Sequence, residues 1–109
     1  MEANFAAEAL KHKADAEKKL KGGGFFSKMF GDKEQRLEDA RDLFEKAANA
    51  FKMADRMAEA GECYEECVKI EEKLDGMPAN FTKEALDCYK RGNPEKYRGM
   101  MDDAIMRFC

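Results

Sequence analysis

Apolar side chains recur at spacings of three and four residues along almost the whole chain. This spacing is that of one face of an α-helix, and it constrains the fold more than any other feature. Five segments carry it, and glycine, proline or aspartate separates them. The predicted helices cover residues 3–21, 33–53, 56–74, 82–90 and 94–107. No segment alternates apolar and polar residues for long enough to predict a strand, so we expect an all-α fold.

In the second and third predicted helices, small and large residues alternate so that two helices can cross closely. The set consists of Phe44, Ala48 and Phe51, then Ala60, Tyr64 and Cys67. These match the signature positions of a tetratricopeptide repeat, and residues 89–95 resemble the turn of a second hairpin. The alternative interpretation of this pattern is an ordinary alanine-rich helical hairpin that is not a repeat. We predict one domain over residues 1–109, a right-handed, tetratricopeptide-repeat-like array of antiparallel helical hairpins.

The same spacing predicts which side chains form the core and which residues begin the helices. Asp55 and Thr82 are predicted caps of the third and fourth helices, and Asn93 with Pro94 begins the last one. The predicted core faces consist of Phe5, Ala9, His12, Ala16 and Leu20; Leu37, Ala40, Phe44, Ala47, Ala48 and Phe51; Met57, Ala60, Tyr64, Cys67, Ile70 and Leu74; and Tyr97, Met101, Ala104, Ile105 and Phe108.

Charge and residue types argue against several classes of function. Lys and Arg number 20 against 23 Asp and Glu, a net charge of −3, so no strong positive field predicts nucleic-acid binding. No apolar run approaches the ~20 residues that span a bilayer, and from the polar start of the chain we expect no secretory signal peptide. His12 is the only histidine and forms no catalytic arrangement. We predict no catalytic residue, no cofactor and no metal.

The four cysteines are expected to be reduced thiols, including the last residue, Cys109. Cys63 and Cys67 stand four residues apart on one helical face, a spacing that suits two metal ligands. A structural zinc site needs four ligands, and no second pair or suitable histidine follows. We therefore interpret both residues as small buried apolar side chains.

The segment 22–31 joins two polar helices and yet is rich in large apolar side chains between glycines. It carries Phe25, Phe26, Lys28, Met29 and Phe30, and the cations around it include Lys18, Lys21, Lys33 and Arg36. Exposed apolar side chains that lie close together mark an interaction site, and basic flanks suit an anionic membrane surface. The alternative is that the phenylalanines fold back and plug the open end of the first helical pair.

Four stretches carry a resemblance to a known family. They are KKLK at residues 18–21, GFFSKMFG at 24–31, EDARDLF at 38–44 and AANAFKMA at 47–54, and they resemble the amino-terminal region of soluble NSF attachment proteins (SNAPs), nearest to the alpha and beta types. Members of that family coat the SNARE four-helix bundle left after membrane fusion and recruit the ATPase NSF, which pulls the bundle apart. The resemblance implies a non-enzymatic adaptor in vesicle traffic, cytoplasmic and peripherally associated with membranes.

The resemblance also implies roles for particular residues. The membrane-contacting loop of the family corresponds to Phe25, Phe26 and Phe30, and we expect the four flanking cations to contact the SNARE bundle or another partner. Family members are much longer, and their NSF-contacting segment has no evident counterpart, so partial activity is expected. Residues 83–108 match either the next hairpin or the distal helices of the family. The alternative function is a stand-alone repeat-like scaffold that has no SNARE role.

Overall fold

The computed structural model describes residues 4–21 and 33–108, with the backbone alone over 104–108. These residues form five helices: α1 (Phe5–Lys21), α2 (Lys33–Met53), α3 (Met57–Lys73), α4 (Ala79–Gly92) and α5 (Pro94–Phe108). Each helix packs against the next one in the chain, and the part of the chain that is described contains no strand. The prediction of an all-α array of helical hairpins is confirmed.

The hairpin turn after α2 and the turn after α3 have the same backbone geometry. Asp55 and Asp75 adopt left-handed φ angles of 60° and 56°. One residue further on, the N–H of Arg56 donates to the carbonyl of Phe51, and that of Gly76 donates to the carbonyl of Glu71, both at 2.8 Å. These are the bonds of a Schellman motif, with aspartate where glycine is usual. The prediction that Asp55 caps the next helix is wrong, because Asp55 closes the preceding one and α3 begins without a side-chain cap.

The fourth helix begins three residues earlier than its predicted cap. Pro78 occupies the N-cap position, and its carbonyl accepts the first helical bond from the Thr82 N–H at 2.9 Å. The Thr82 hydroxyl donates to the same carbonyl at 3.1 Å, so the side chain bonds backwards within the first turn instead of capping. The predicted cap at Thr82 is therefore wrong.

The first and last helices have side-chain caps. The Lys96 N–H donates to Asn93 Oδ1 at 3.2 Å, with Pro94 as the first helical residue, as predicted. The Ala7 N–H donates in the same way to Asn4 Oδ1 at 3.1 Å, a cap that the sequence analysis did not predict.

The core is built mainly from α2 and α3. All six predicted core residues of α2 are buried, as are Ala60, Tyr64, Cys67 and Ile70 of α3. The first helix packs through two alanines, Ala9 and Ala16, which are completely buried. On α5 the prediction of Met101 is wrong, because its side chain is 36% exposed and Met100, one position earlier, packs against the core.

The fourth helix approaches α3 closely at two glycines. A Cβ atom on Gly61 would lie 2.7 Å from a ring carbon of Tyr89, and one on Gly92 would lie 2.3 Å from the Ala58 nitrogen. Separations below 3.0 Å are not tolerated between such atoms. The close packing of α4 against α3 therefore requires glycine, which has no side chain, at both positions.

Candidate functional site

The α1–α2 end of the molecule is where the sequence analysis expects contact with membrane and partner. The helices are antiparallel neighbours, so the end of α1 at Lys21 and the start of α2 at Lys33 lie at the same end of the hairpin. The predicted membrane residues Phe25, Phe26, Lys28, Met29 and Phe30 lie outside the described residues. The membrane site therefore stays a prediction.

The four predicted partner-binding cations flank that end of the hairpin. Lys18, Lys21 and Lys33 are exposed, and Arg36 is half-buried. Their neighbour Lys19 pairs with Asp39 across the hairpin, with 3.9 Å between Nζ and Oδ2. Among the residues that the structure covers, none of the four cations forms an ion pair.

A groove of about 780 Å³ runs between α2 and α4, with α3 as its floor. At one end, the Arg41 guanidinium donates to the carboxylate of Glu71, which is 8% exposed, and this hydrogen bond raises the pKa of Arg41. The second oxygen of Glu71 accepts the Met77 N–H at 3.2 Å. One buried carboxylate thus joins α2, α3 and the turn before α4.

The other end of this α2–α4 groove is held by a second ion pair and by aromatic contacts. Lys52 Nζ lies 3.4 Å from Glu84 Oε2 and 5.6 Å from the centre of the Tyr64 ring. The Tyr64 hydroxyl donates to Asn49 Oδ1 at 2.9 Å, and its ring lies 6.4 Å from that of Phe81. Burial raises the pKa of Tyr64, which keeps the hydroxyl protonated as a donor.

The opposite face has a smaller groove of about 480 Å³ between α1 and α3, lined by residues that include Lys13, Leu20 and Cys63. At its edge, the Tyr89 hydroxyl donates to Glu65, and Lys96 of α5 lies 3.7 Å from the same carboxylate. This cluster joins α3, α4 and α5.

The cysteines of α3 behave as the apolar interpretation predicts. Cys63 and Cys67 are buried, and burial raises the pKa of Cys63 to about 12 and that of Cys67 as well. Cys67 donates to the carbonyl of Arg41 at 3.5 Å. Groups of three or more side chains arranged to hold a metal ion are absent from residues 4–21 and 33–103. Cys109 lies outside the described residues.

The α2–α4 groove was not predicted from the sequence. Its α2 wall consists of Arg41, Glu45, Asn49 and Lys52, which follow one another at spacings of three and four. That spacing, on the flank of α2 directly beside its apolar face, was the available signal. The α4 wall has no such signal, because Met77 and Phe81 resemble ordinary core residues.

Comparison with known proteins assigns the family. The model for "Soluble NSF attachment protein, SNAP" matches residues 7–109. The chain belongs to the SNAP family. None of the helices among the described residues is long and apolar enough to cross a membrane. No solved structure matches the chain significantly.

Curated SNAP and Sec17 proteins match most of this chain but only a part of their own length. A probable vesicular-fusion protein sec17 homolog of Neurospora crassa is 34% identical over 97 residues, 86% of this chain and 33% of the relative. Beta-soluble NSF attachment protein of Bos taurus is 31% identical over 101 residues (90% and 34%), and the alpha protein of Homo sapiens is 31% identical over 93 residues (83% and 31%). The chain spans about a third of the length of these relatives.

Proposed function

We propose that this SNAP-family chain is an adaptor of vesicle fusion that contacts the SNARE bundle through the cations at the end of the α1–α2 hairpin. The observation that supports this most is that Lys18, Lys21, Lys33 and Arg36 have no ion-pair partner in the described part of the chain while Lys19 beside them is paired. Unpaired surface charge favours association with a partner of opposite charge and makes that association sensitive to salt.

We test the SNARE contact by pull-down with an assembled SNARE four-helix bundle. Neutralising the four cations (Lys18→Gln, Lys21→Gln, Lys33→Gln and Arg36→Gln) is expected to weaken binding about tenfold at low salt. The matched control neutralises four exposed lysines elsewhere on the molecule: Lys11→Gln, Lys46→Gln, Lys83→Gln and Lys90→Gln. Equal loss in both variants would mean that net charge alone matters, and no binding by the unmodified chain would favour the scaffold function.

The same adaptor hypothesis includes weak attachment to membranes through residues 22–31. Each phenylalanine that enters the lipid contributes ~1.5–3 kcal/mol, and each nearby cation adds about 1 kcal/mol on an anionic surface. In flotation with vesicles of phosphatidylserine and phosphatidylcholine, Phe25→Ser/Phe26→Ser is expected to lose attachment. Leu10→Ser, which removes an exposed apolar side chain from α1, is expected to float like the unmodified chain. If all three proteins float equally, the membrane role is wrong.

The relatives also suggest the second partner. Two of them are named for attachment to NSF. We propose that this chain, bound to SNAREs at the cytoplasmic face of a membrane, takes part in NSF recruitment with only partial activity, because the NSF-contacting segment of the family has no evident counterpart in it. Capture of NSF hexamers on SNARE-loaded beads, with and without the chain, measures this step separately from SNARE binding.

A further inference from the structure

We propose that the α2–α4 groove is a second binding surface, which takes an extended peptide segment with basic and apolar side chains in alternation. This groove is lined by other residues than the four cations of the proposed SNARE contact. Helical arrays of this kind commonly bind partners in the groove that neighbouring hairpins form. The proposal rests on three properties of the groove: an apolar wall, an excess of negative charge and an exposed amide on each wall.

The apolar wall lies at the start of α4. Met77, in the turn before α4, is 77% exposed, and the ring of Phe81, in the first turn of α4, is half-buried against Tyr64. Methionine adapts its shape to different apolar partners. The α4 wall therefore suits a branched or unbranched aliphatic side chain of the peptide.

The charge of the groove is negative once its internal pairs are taken into account. Arg41 is bonded to Glu71 and Asp42, and Lys52 is paired with Glu84. Glu45, on α2 between these two cations, is exposed and takes part in none of the ion pairs within the described chain. Arg41 balances only one of its two carboxylates, so one negative charge remains there and Glu45 adds a second, which together suit basic side chains.

Two amides indicate that the ligand is extended and not helical. Asn49 on α2 and Asn80 on α4 are both exposed and line the same groove. Asn49 Oδ1 accepts the Tyr64 hydroxyl, so its NH2 group is left to donate. An amide bonds well to a free peptide backbone, whereas the backbone groups of a helix are already bonded to one another.

The walls also determine the order of the side chains. Successive side chains of an extended peptide point in opposite directions. A basic residue directed at Glu45 on α2 is therefore followed by an apolar residue directed at Met77, just before α4, and Phe81 on α4. The α2 wall from Arg41 to Lys52 is about 16 Å long, which accommodates about five extended residues at ~3.3 Å each.

The test measures the fluorescence anisotropy of a labelled peptide, Ser-Gly-Lys-Leu-Lys-Leu-Lys-Gly-Ser, titrated with the full chain. A peptide of the same composition with a Leu-Leu-Lys-Lys-Lys block is the matched control. We expect the alternating peptide to bind at least about fivefold more tightly than the block peptide. Equal affinities, or no saturable binding of either peptide, would overturn the proposal.

Variants of the groove locate the site. Glu45→Lys, Asn80→Ala and Met77→Ser change exposed side chains, and each is expected to weaken the alternating peptide about fivefold. Glu62→Lys on α3 and Met53→Ser, which is 66% exposed at the other hairpin turn, are the controls and should change affinity less than about twofold. Equal effects of the groove and control variants would overturn the proposal. Circular dichroism of every variant checks the fold.

The two surfaces are separable in the same experiment. The variant that neutralises Lys18, Lys21, Lys33 and Arg36 is expected to keep the affinity for the alternating peptide while it loses the SNARE bundle. Loss of the peptide in that variant would contradict a distinct groove site, and loss of the SNARE bundle by Glu45→Lys alone would merge the two surfaces into one.

Discussion

The two helix pairs that share α3 are held together by opposite means. Where α2 meets α3, large apolar side chains fill the space, with Phe44 and Phe51 on one side and Ile70 on the other almost completely buried. Where α3 meets α4, two glycines leave room instead, so that the Tyr89 ring lies over Gly61 and Gly92 lies against Ala58. The first pair tolerates loss of volume poorly, and the second tolerates gain of volume poorly.

The largest expected effect comes from removing volume where α2 meets α3. Phe51→Ala deletes a ring that is completely buried and is expected to lower the free energy of unfolding by about 3–5 kcal/mol. Urea denaturation followed by far-ultraviolet circular dichroism measures this. A loss below about 1 kcal/mol would mean that the space collapses easily and that the contrast between the pairs is wrong.

Adding volume where α3 meets α4 is expected to have a smaller but clear effect. Gly92→Ala places a methyl group against the backbone of Ala58 and should cost about 1–3 kcal/mol. Gly99→Ala on α5 is the matched control, since its Cβ would meet nothing within 4 Å. Alanine is the better helix former, so the control is expected to be neutral or stabilising by up to about 1 kcal/mol. If Gly92→Ala and Gly99→Ala were equally destabilising, the close approach of α4 to α3 at Gly92 would not be the cause.

The buried thiols are expected to have the smallest effect on stability at neutral pH. Their effect grows as the pH rises. Burial raises the pKa of Cys63 to about 12 in the folded chain, whereas an unfolded thiol ionises near its usual value. The raised pKa of Cys63 therefore costs the folded state nothing below about pH 8.5, where the thiol is protonated in both states. Above that pH the unfolded thiol ionises first, and the free energy of unfolding falls as the pH rises towards 12. Urea midpoints measured at increasing pH should fall over this range, and they should fall less steeply in Cys63→Ala. Parallel curves for the two proteins would show that another group is responsible.

The apolar spacing predicted the α2–α3 pair far better than the α3–α4 pair. Burial of Phe44 or Ala60 follows from helical periodicity, because each lies on one continuous face. Gly61 and Glu71 are also buried, on parts of α3 outside its predicted face. This helix packs against both α2 and α4, and a single-face pattern does not show a second neighbour.

The helix ends were predicted where one interaction dominates and missed where two compete. Asn93 followed by Pro94 has one good conformation and was predicted correctly. Asp55 can either cap the start of α3 or adopt the left-handed conformation that ends α2. The backbone hydrogen bonds of the turn favour the second conformation. The residues of the α2–α4 groove were missed for a related reason, because they form one surface only when α2 and α4 pack on the same side of α3.

The carboxylate of Glu71 has a consequence for how the chain opens. It is bonded at once to a guanidinium on α2 and to a backbone amide just before α4, so detachment of either neighbour takes a partner away from a buried charge. Helical arrays with only neighbour-to-neighbour contacts fray repeat by repeat. Here the amide protons of α2 and of the α3–α4 turn should exchange with solvent in one concerted event, as a single cooperative unit.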